Sequence, residues 1–228
     1  MMKRSSPPYI IAIDGPAASG KSTLGRRLAE ALGYLFFDTG VMYRAITWLA
    51  LERDVDLRAE AALTALAETA QIEIAPPSAS DGRAFDVLVG GRDITWEIRL
   101  PEVDANVSIV SAYVGVRRAL SAQQRRIGQR GQVVMVGRDI GTVVLPEADL
   151  KVYLDASAAQ RARRRFDELR ARSGRADYDE ILAQVLERDR IDSTRAVAPL
   201  RPAADALILD SDKLDADEVF ARVLELCR

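Results

Sequence analysis

The sequence has 228 residues, of which 34 are acidic and 32 basic, and its formal net charge is −2. It contains no histidine and a single cysteine, Cys227, which excludes Ser-His-Asp triads, Cys-His nucleophiles, zincin helices and Cys/His zinc sites. The lone thiol favours a cytoplasmic location, and the balanced charge and short apolar runs argue against nucleic-acid and membrane partners.

Short apolar runs alternate with longer helical patterns along the chain, which is typical of a parallel sheet flanked by helices. Each predicted strand is almost continuously apolar, as a strand buried on both faces should be. The five predicted strands are residues 9–13, 34–37, 133–136, 151–154 and 206–209. A helix is predicted over Lys21–Leu32, because Leu24 and Leu28 share one face and Gly33 can end it.

The region 68–98 has a different pattern. Apolar and polar residues alternate around Ile72 and again around Val87, and the pair Gly90-Gly91 can close a tight hairpin. This pattern predicts a small antiparallel meander inserted into an α/β core.

Residues 15–22 match the phosphate-binding pattern G-x-x-x-x-G-K-[ST] between a predicted strand and a predicted helix. Such a loop turns its amide N–H groups toward phosphate oxygens, and the helix start adds the positive end of its dipole. Lys21 is expected to reach the β- and γ-phosphates, and the Ser22 hydroxyl to ligate Mg²⁺. The residues predicted to hold ATP are Gly15, Pro16, Ala17, Ala18, Ser19, Gly20, Lys21, Ser22 and Thr23.

Two absences narrow the class of P-loop protein. The single asparagine, Asn106, is not followed by the Lys-x-Asp of guanine-specific switch proteins. The strand 133–136 leads into Gly137-Arg138-Asp139, not directly into the aspartate expected of rotary and helicase ATPases. A small-molecule kinase fits best.

Charged residues continue the apolar stripe of a predicted helix over 178–195. Arg188, Asp192 and Arg195 are spaced i, i+4, i+7 and follow Ile181 and Val185 on the same stripe. A surface ion-pair ladder is the alternative interpretation. Because the charges continue the apolar face and do not oppose it, we favour a cleft.

A second predicted helix follows strand 151–154 and is crowded with arginine. Either it is a lid that closes over phosphates, or at least half of its arginines form a solvated face partly neutralised by Asp167 and Glu168. These arginines are Arg161, Arg163, Arg164, Arg165, Arg170, Arg172 and Arg175.

Together these segments resemble the bacterial-type cytidylate kinase family over nearly the whole chain. The segments that carry the resemblance are Ile13-Asp14-Gly15-Pro16, Asp38-Thr39-Gly40 with Tyr43-Arg44, Glu97-Ile98-Arg99 with Val103, Gly137-Arg138-Asp139 through Val144 with Pro146, and Arg195 through Leu200. The resemblance implies a P-loop NTPase fold in a single domain. Its core would cover about 9–40 and 116–228, its monophosphate-binding region with the insert about 41–115, and its lid about 158–176.

The resemblance also implies an activity: transfer of the γ-phosphoryl group of ATP to CMP, and to dCMP, with Mg²⁺ and in a monomer. Ser108, Arg117 and Asp139 would read cytosine, since an acidic acceptor suits the exocyclic amine that uracil lacks. Arg188 and Asp192 would bind the ribose hydroxyls. The acceptor phosphate would be held by Arg44, Arg138 and Arg195, with Thr39 supporting that site. Arg161 would contact ATP. The implied catalytic set is Lys21, Arg138, Arg188 and Arg161.

One position departs from the family pattern. The family often has an acidic residue directly before Gly-Arg-Asp, where this chain has Val136. Any role of that carboxylate in ordering Mg²⁺ or an arginine is therefore lost here, or it passes to Asp14 or Asp38.

Three alternatives to a cytidylate kinase remain. The first is a P-loop kinase of another acceptor such as UMP, shikimate or dephospho-coenzyme A, and the second is a non-catalytic ATP-sensing regulator. The third is an RNA-binding module, which the net charge disfavours.

Overall fold

The computed structural model describes residues 9–75, 77–173 and 176–227. The chain divides into two compact units, one made of the described residues of Met1–Asp38 and Arg125–Arg228, the other of those of Thr39–Gln124.

The helices and strands follow one another in this order. They are β1 (Ile10–Asp14), α1 (Lys21–Leu32), β2 (Leu35–Asp38), α2 (Gly40–Glu52), α3 (Glu60–Thr69), β3 (Ile72–Ala75), β4 (Asp86–Val89), β5 (Arg92–Asp93), α4 (Pro101–Val110), α5 (Val114–Gly128), β6 (Val133–Gly137), β7 (Leu150–Asp155), α6 (Ala158–Ser173), α7 (Tyr178–Thr194), β8 (Leu207–Asp210) and α8 (Ala216–Leu226). A short 3₁₀ turn spans Glu97–Arg99 and a π-helical turn spans Ile140–Val144.

The first unit is built on a five-stranded parallel sheet in the order β2-β6-β1-β7-β8. This sheet confirms the predicted fold class, and α1 has the predicted bounds. Each strand continues at least one residue beyond the predicted end. Four of the five therefore end in an aspartate, namely Asp14, Asp38, Asp155 and Asp210. The carboxyl edge of the sheet consequently carries a row of carboxylates.

The core of the first unit lies between one face of the sheet and the helices α1 and α8. Alternate strand residues such as Ile13, Val136 and Leu154 pack there against Leu28 of α1 and Val223 of α8. A smaller apolar cluster joins α6 to α7. This packing fixes the start of α1, and with it the loop that precedes the helix, against the carboxyl edge of the sheet.

The second unit contains an antiparallel sheet in the order β3-β4-β5, which confirms the predicted meander. Gly90 and Gly91 form the turn between β4 and β5, both with positive φ, as a tight hairpin turn requires. Arg83 closes the preceding loop by ion pairs to Asp81, Asp86 and Asp93 at 2.6–2.8 Å.

Over the parts of the chain that the structure describes, no helix combines the length and the apolar character needed to cross a bilayer.

Candidate active site

The loop between β1 and α1 has the backbone that phosphate binding requires. Gly15 has φ 147° and lies so close to β7 that a Cβ atom there would be 2.1 Å from the carbonyl oxygen of Leu154. Gly20 has φ 96°, and Ala18 adopts a left-handed φ of 59° although it carries a side chain. Left-handed residues within such a loop allow several backbone N–H groups to face one concave surface that binds anions.

Lys21 is buried at the first position of α1, with 5% of its surface exposed. Its Nζ donates to the carbonyl oxygen of Pro16 at 2.5 Å and to Ser19 Oγ at 3.4 Å. Burial and the nearby charge of Arg138 hold the pKa of Lys21 well below its usual range, although Asp38 and Asp14 oppose the shift. Two cationic side chains that interact in this way favour an anionic ligand.

Asp14, at the end of β1, holds the turn that follows β6. Its two carboxylate oxygens accept from the backbone N–H groups of Ile140 and Gly141 at 2.8 and 2.7 Å. Burial raises the pKa of Asp14 to about 6, against the lowering effect of those two bonds. The turn that Asp14 anchors carries Arg138 and Asp139, so this carboxylate positions two of the predicted site residues.

Ser22 and Asp38 bring two oxygen groups together beside the loop. The Ser22 hydroxyl donates to Asp38 Oδ2 at 2.7 Å. Among the described residues there is no cluster of three or more His, Cys, Asp or Glu side chains that could hold a metal ion. Mg²⁺ at a triphosphate needs only one or two protein oxygens, because phosphates and water supply the others. The Ser22–Asp38 pair fits that requirement.

Val136 is the register partner of Asp38 across the strands β6 and β2. It is buried in the apolar core with Leu28 and packs against α1. The residue whose family counterpart is often acidic therefore serves the core in this chain, while Asp14 and Asp38 occupy the ends of the flanking strands β1 and β2.

Asp192 of α7 forms ion pairs with two of the predicted arginines. It accepts from Arg138 Nε at 2.8 Å and from Arg195 Nη1 at 3.2 Å, and only 5% of its surface is exposed. Arg195 also lies 3.7 Å from Asp139. Burial would raise the pKa of Asp192, but the arginines outweigh it and lower the pKa. The charged stripe of α7 is thus a buried network and not a surface ladder.

Arg188 lies one helical turn before Asp192 and is partly buried. Its charge acts on the pKa values of both Lys21 and Asp192. The structure therefore brings Lys21, Arg138 and Arg188 into one electrostatic neighbourhood within the first unit.

The second unit holds the remaining predicted residues. Arg117 of α5 is buried, donates to the carbonyl oxygen of Ser111 at 3.0 Å and lies 5.3 Å above the ring of Tyr43. Ser108 is partly buried on α4, the helix that ends just before Ser111. Only the residues 111–113 separate the end of α4 from the start of α5. Ser108 and Arg117 therefore lie near the two ends of one short connection.

Arg44 of α2 is held from α4 and from the turn before it. Its guanidinium donates to the carbonyl oxygen of Ile98 at 3.1 Å and forms an ion pair with Asp104. Thr39, the residue before α2, is buried. Asp104 is a residue that the sequence interpretation missed, because no spacing connects it to Arg44 sixty residues earlier.

The arginines of α6 differ in their contacts. Arg161 and Arg164 reach carbonyl groups of the phosphate-binding loop, Arg163 lies over the rings of Phe166 and Tyr178, and Arg165 pairs with Glu168. Arg170 also lies near the Phe166 ring. Arg175 and the side chain of Arg172 lie outside the described residues. The predicted contact of Arg161 with ATP is untested and stays a prediction.

Comparison with known proteins identifies the family of this chain. The sequence model of the cytidylate kinase family matches residues 11–228. The chain is 54% identical to the cytidylate kinase of Chloroflexus aggregans over 217 residues, covering 95% of this chain and 93% of that one. It is 52% identical to the cytidylate kinase of Herpetosiphon aurantiacus over 219 residues (96% and 94% covered) and 46% identical to that of Bacillus velezensis over 216 residues (95% of each). The chain therefore belongs to the cytidylate kinase family.

Proposed function

We propose that this protein transfers the γ-phosphoryl group of ATP to CMP, and also to dCMP, giving ADP and CDP or dCDP. The observation that carries the proposal is the phosphate-binding loop with Lys21 buried beside Arg138, in a chain that matches the cytidylate kinase family from residue 11 onward. The protein acts as a monomer in this proposal, and small nucleotides are its partners.

The reaction needs positive charge and alignment more than it needs a base. An oxygen of the CMP phosphate attacks the γ-phosphorus of ATP, and the bond from that phosphorus to the bridging oxygen of ADP breaks. The attacking phosphate has a second pKa of about 6, so it is already ionised at neutral pH. Lys21, Arg138 and Arg188 neutralise the charge that develops on the transferred group. A chain without histidine can therefore catalyse this step.

The acceptor is recognised through its three parts. Ser108, Arg117 and Asp139 read the cytosine ring, where the carboxylate accepts from the exocyclic amine. The ribose hydroxyls are bound by Arg188 and Asp192. The phosphate is bound by Arg44, Arg138 and Arg195, and Thr39 supports that site. The ion pairs of Asp192 support this assignment, because they hold Arg138 and Arg195 beside one carboxylate.

Ser22 would ligate Mg²⁺, and Asp38 would hold the Ser22 hydroxyl in place. Bound there, Mg²⁺ would neutralise part of the negative charge of the ATP phosphates. The hydrogen bond from Ser22 to Asp38 uses the proton of the hydroxyl and leaves its lone pairs for the metal. Asp38 thereby supplies, from the end of β2, the carboxylate that position 136 lacks in this chain.

The proposal is tested by incubating the protein with ATP, Mg²⁺ and each nucleoside monophosphate in turn. We expect CDP and ADP in equal amounts, a higher kcat/KM for CMP than for UMP, AMP or GMP, and near-complete loss of transfer in Lys21→Ala. The matched control is Lys213→Ala, which removes a lysine whose side chain is 81% exposed. Preference for another acceptor, or ATP binding without any transfer, would contradict the proposal and favour a kinase of that acceptor or an ATP-sensing regulator.

A further inference from the structure

The outer side of the phosphate-binding loop is held by side chains from elsewhere in the first unit. Arg161 Nη1 donates to the carbonyl oxygen of Ala17 at 3.2 Å. The carbonyl oxygen of Ser19 accepts from Arg164 Nη1 at 3.4 Å and from Ser211 Oγ at 3.3 Å. Two carbonyl groups of the loop, separated by one residue, therefore have charged or polar partners.

Arg161 is fixed so firmly that it has little freedom to reach another ligand. Its side chain is 4% exposed and donates through Nε to the carbonyl oxygen of Ala156 at 3.0 Å. Both carboxylate oxygens of Asp189 on α7 accept from its Nη atoms, one of them at 2.9 Å. A planar guanidinium held in this bidentate way points in a single direction, and here that direction is the Ala17 carbonyl.

Arg164 lies nearly one turn after Arg161 and is held by the segment that follows β8. It donates through Nη2 to the carbonyl oxygen of Ser211 at 2.7 Å and through Nη1 to Ser211 Oγ at 3.1 Å. Ser211 is itself attached to β7, since its N–H donates to the carbonyl oxygen of Asp155 at 2.9 Å. Arg164 thus connects the loop to the carboxyl edge of the sheet.

The geometry of the peptide bond transmits these contacts to the inner side of the loop. In a planar trans peptide the C=O of one residue and the N–H of the next point in opposite directions. Holding the carbonyls of Ala17 and Ser19 outward therefore turns the N–H groups of Ala18 and Gly20 inward. Those are the two loop residues with left-handed φ after Gly15, 59° and 96°. For Ala18 this conformation is disfavoured by its Cβ atom and needs outside support.

We propose that Arg161, Arg164 and Asp189 are positioning residues for ATP: they hold two carbonyls of the loop outward so that its amides face the triphosphate. In this proposal Arg161 acts on ATP through the loop, in place of the direct contact that the family resemblance implies, and Asp189 acts through Arg161. The inference rests on the proposed function only in that ATP is the ligand of the loop.

The test measures binding of ATP and of CMP separately, by calorimetry, in Asp189→Asn and Arg164→Gln. We expect the Kd for ATP to rise about tenfold in each variant, as loss of a charged hydrogen bond would give, while the Kd for CMP stays within twofold. The matched control is Arg190→Gln, which removes the neighbouring arginine of α7 whose pair with Glu187 is exposed. Arg164→Lys keeps a donor and is expected to recover part of the lost affinity.

Unchanged ATP affinity in folded Arg164→Gln and Asp189→Asn would overturn the proposal, and so would equal weakening of ATP and CMP binding. If Asp189→Asn does not fold, the comparison of Arg164→Gln with Arg164→Lys decides alone. Because binding is measured without turnover, a wild-type protein that binds ATP but does not phosphorylate CMP would contradict the proposed function and leave this inference to be judged on the ATP affinities.

Discussion

Replacing Asp14 by asparagine tests whether a buried carboxylate holds the turn that carries Arg138 and Asp139. Asp14 accepts from two backbone N–H groups, those of Ile140 and Gly141. The amide of the variant would keep one acceptor oxygen and set an NH₂ group against the other N–H. We expect that mismatch to cost about 1–3 kcal/mol relative to the ionised carboxylate.

The charge of Asp14 adds a second effect that depends on pH. Its pKa is raised from 3.8 to about 6 in the folded protein, and 1.36 kcal/mol per pKa unit gives about 3 kcal/mol. A raised pKa means that the folded state binds the proton more tightly. The stability that Asp14 contributes is therefore fully present below pH 3.8 and is lost as the pH rises through about 6.

The asparagine does not titrate, so the unfolding free energies of the two proteins approach or cross as the pH rises. Between pH 5 and pH 7 the difference should shift by about 1.3 kcal/mol in favour of Asp14→Asn. Urea unfolding of both proteins at pH 5, 6 and 7 measures it, and the subtraction cancels the other titrating groups.

A control and an activity measurement complete this test. Asp205→Asn removes an exposed aspartate whose pKa is lowered by Lys151, so its stability difference should be flat over the same range. The ratio of variant to wild-type kcat at each pH cancels the titration of the substrate phosphates, and we expect it to be well below one. A stability difference independent of pH in Asp14→Asn would refute the reasoning.

Three further substitutions have defined outcomes. Gly15→Ala sets a Cβ atom 2.1 Å from the carbonyl oxygen of Leu154, and we expect ATP binding in a calorimeter to fall below detection; near-normal affinity would show that the loop can shift. Asp192→Asn removes the buried carboxylate that pairs with Arg138 and Arg195, which should lower the unfolding free energy by about 3–5 kcal/mol and raise the KM for CMP; an unchanged urea midpoint would contradict the buried network. Asp38→Asn should raise the Mg²⁺ concentration needed for half-maximal rate severalfold with little change in the KM for CMP. An unchanged Mg²⁺ dependence would show that Asp38 does not help Ser22 to bind the metal.

Local pattern was enough to predict the strands, the loop and α1. Apolar runs locate the strands of a parallel sheet, but they locate the ends poorly, because backbone pairing continues to polar residues. Asp14 and Asp38 lie inside β1 and β2 for that reason, while the predicted strands stop at the last apolar residue. The family resemblance, which depended on several separate segments, is confirmed by the matches to cytidylate kinases.

Contacts between distant residues could not be predicted in the same way. Arg161 and Asp189 are 28 residues apart, and Arg138 and Asp192 are 54 apart, so neither pair leaves a spacing signal in the sequence. Composition made the arginines conspicuous but could not show which of them face a phosphate and which face a carbonyl. Only the packing of α6 against α7 decides that question for Arg161.

The central claim, selective phosphorylation of a cytosine nucleotide, is tested most directly by competition in one vessel. Equimolar CMP, UMP, AMP and GMP are offered to the protein with limiting γ-labelled ATP and Mg²⁺, and the labelled products are separated. The account predicts that nearly all label enters CDP, and that Asp139→Asn shifts label toward UDP. Label mainly in UDP, ADP or GDP, or released as inorganic phosphate, would contradict it.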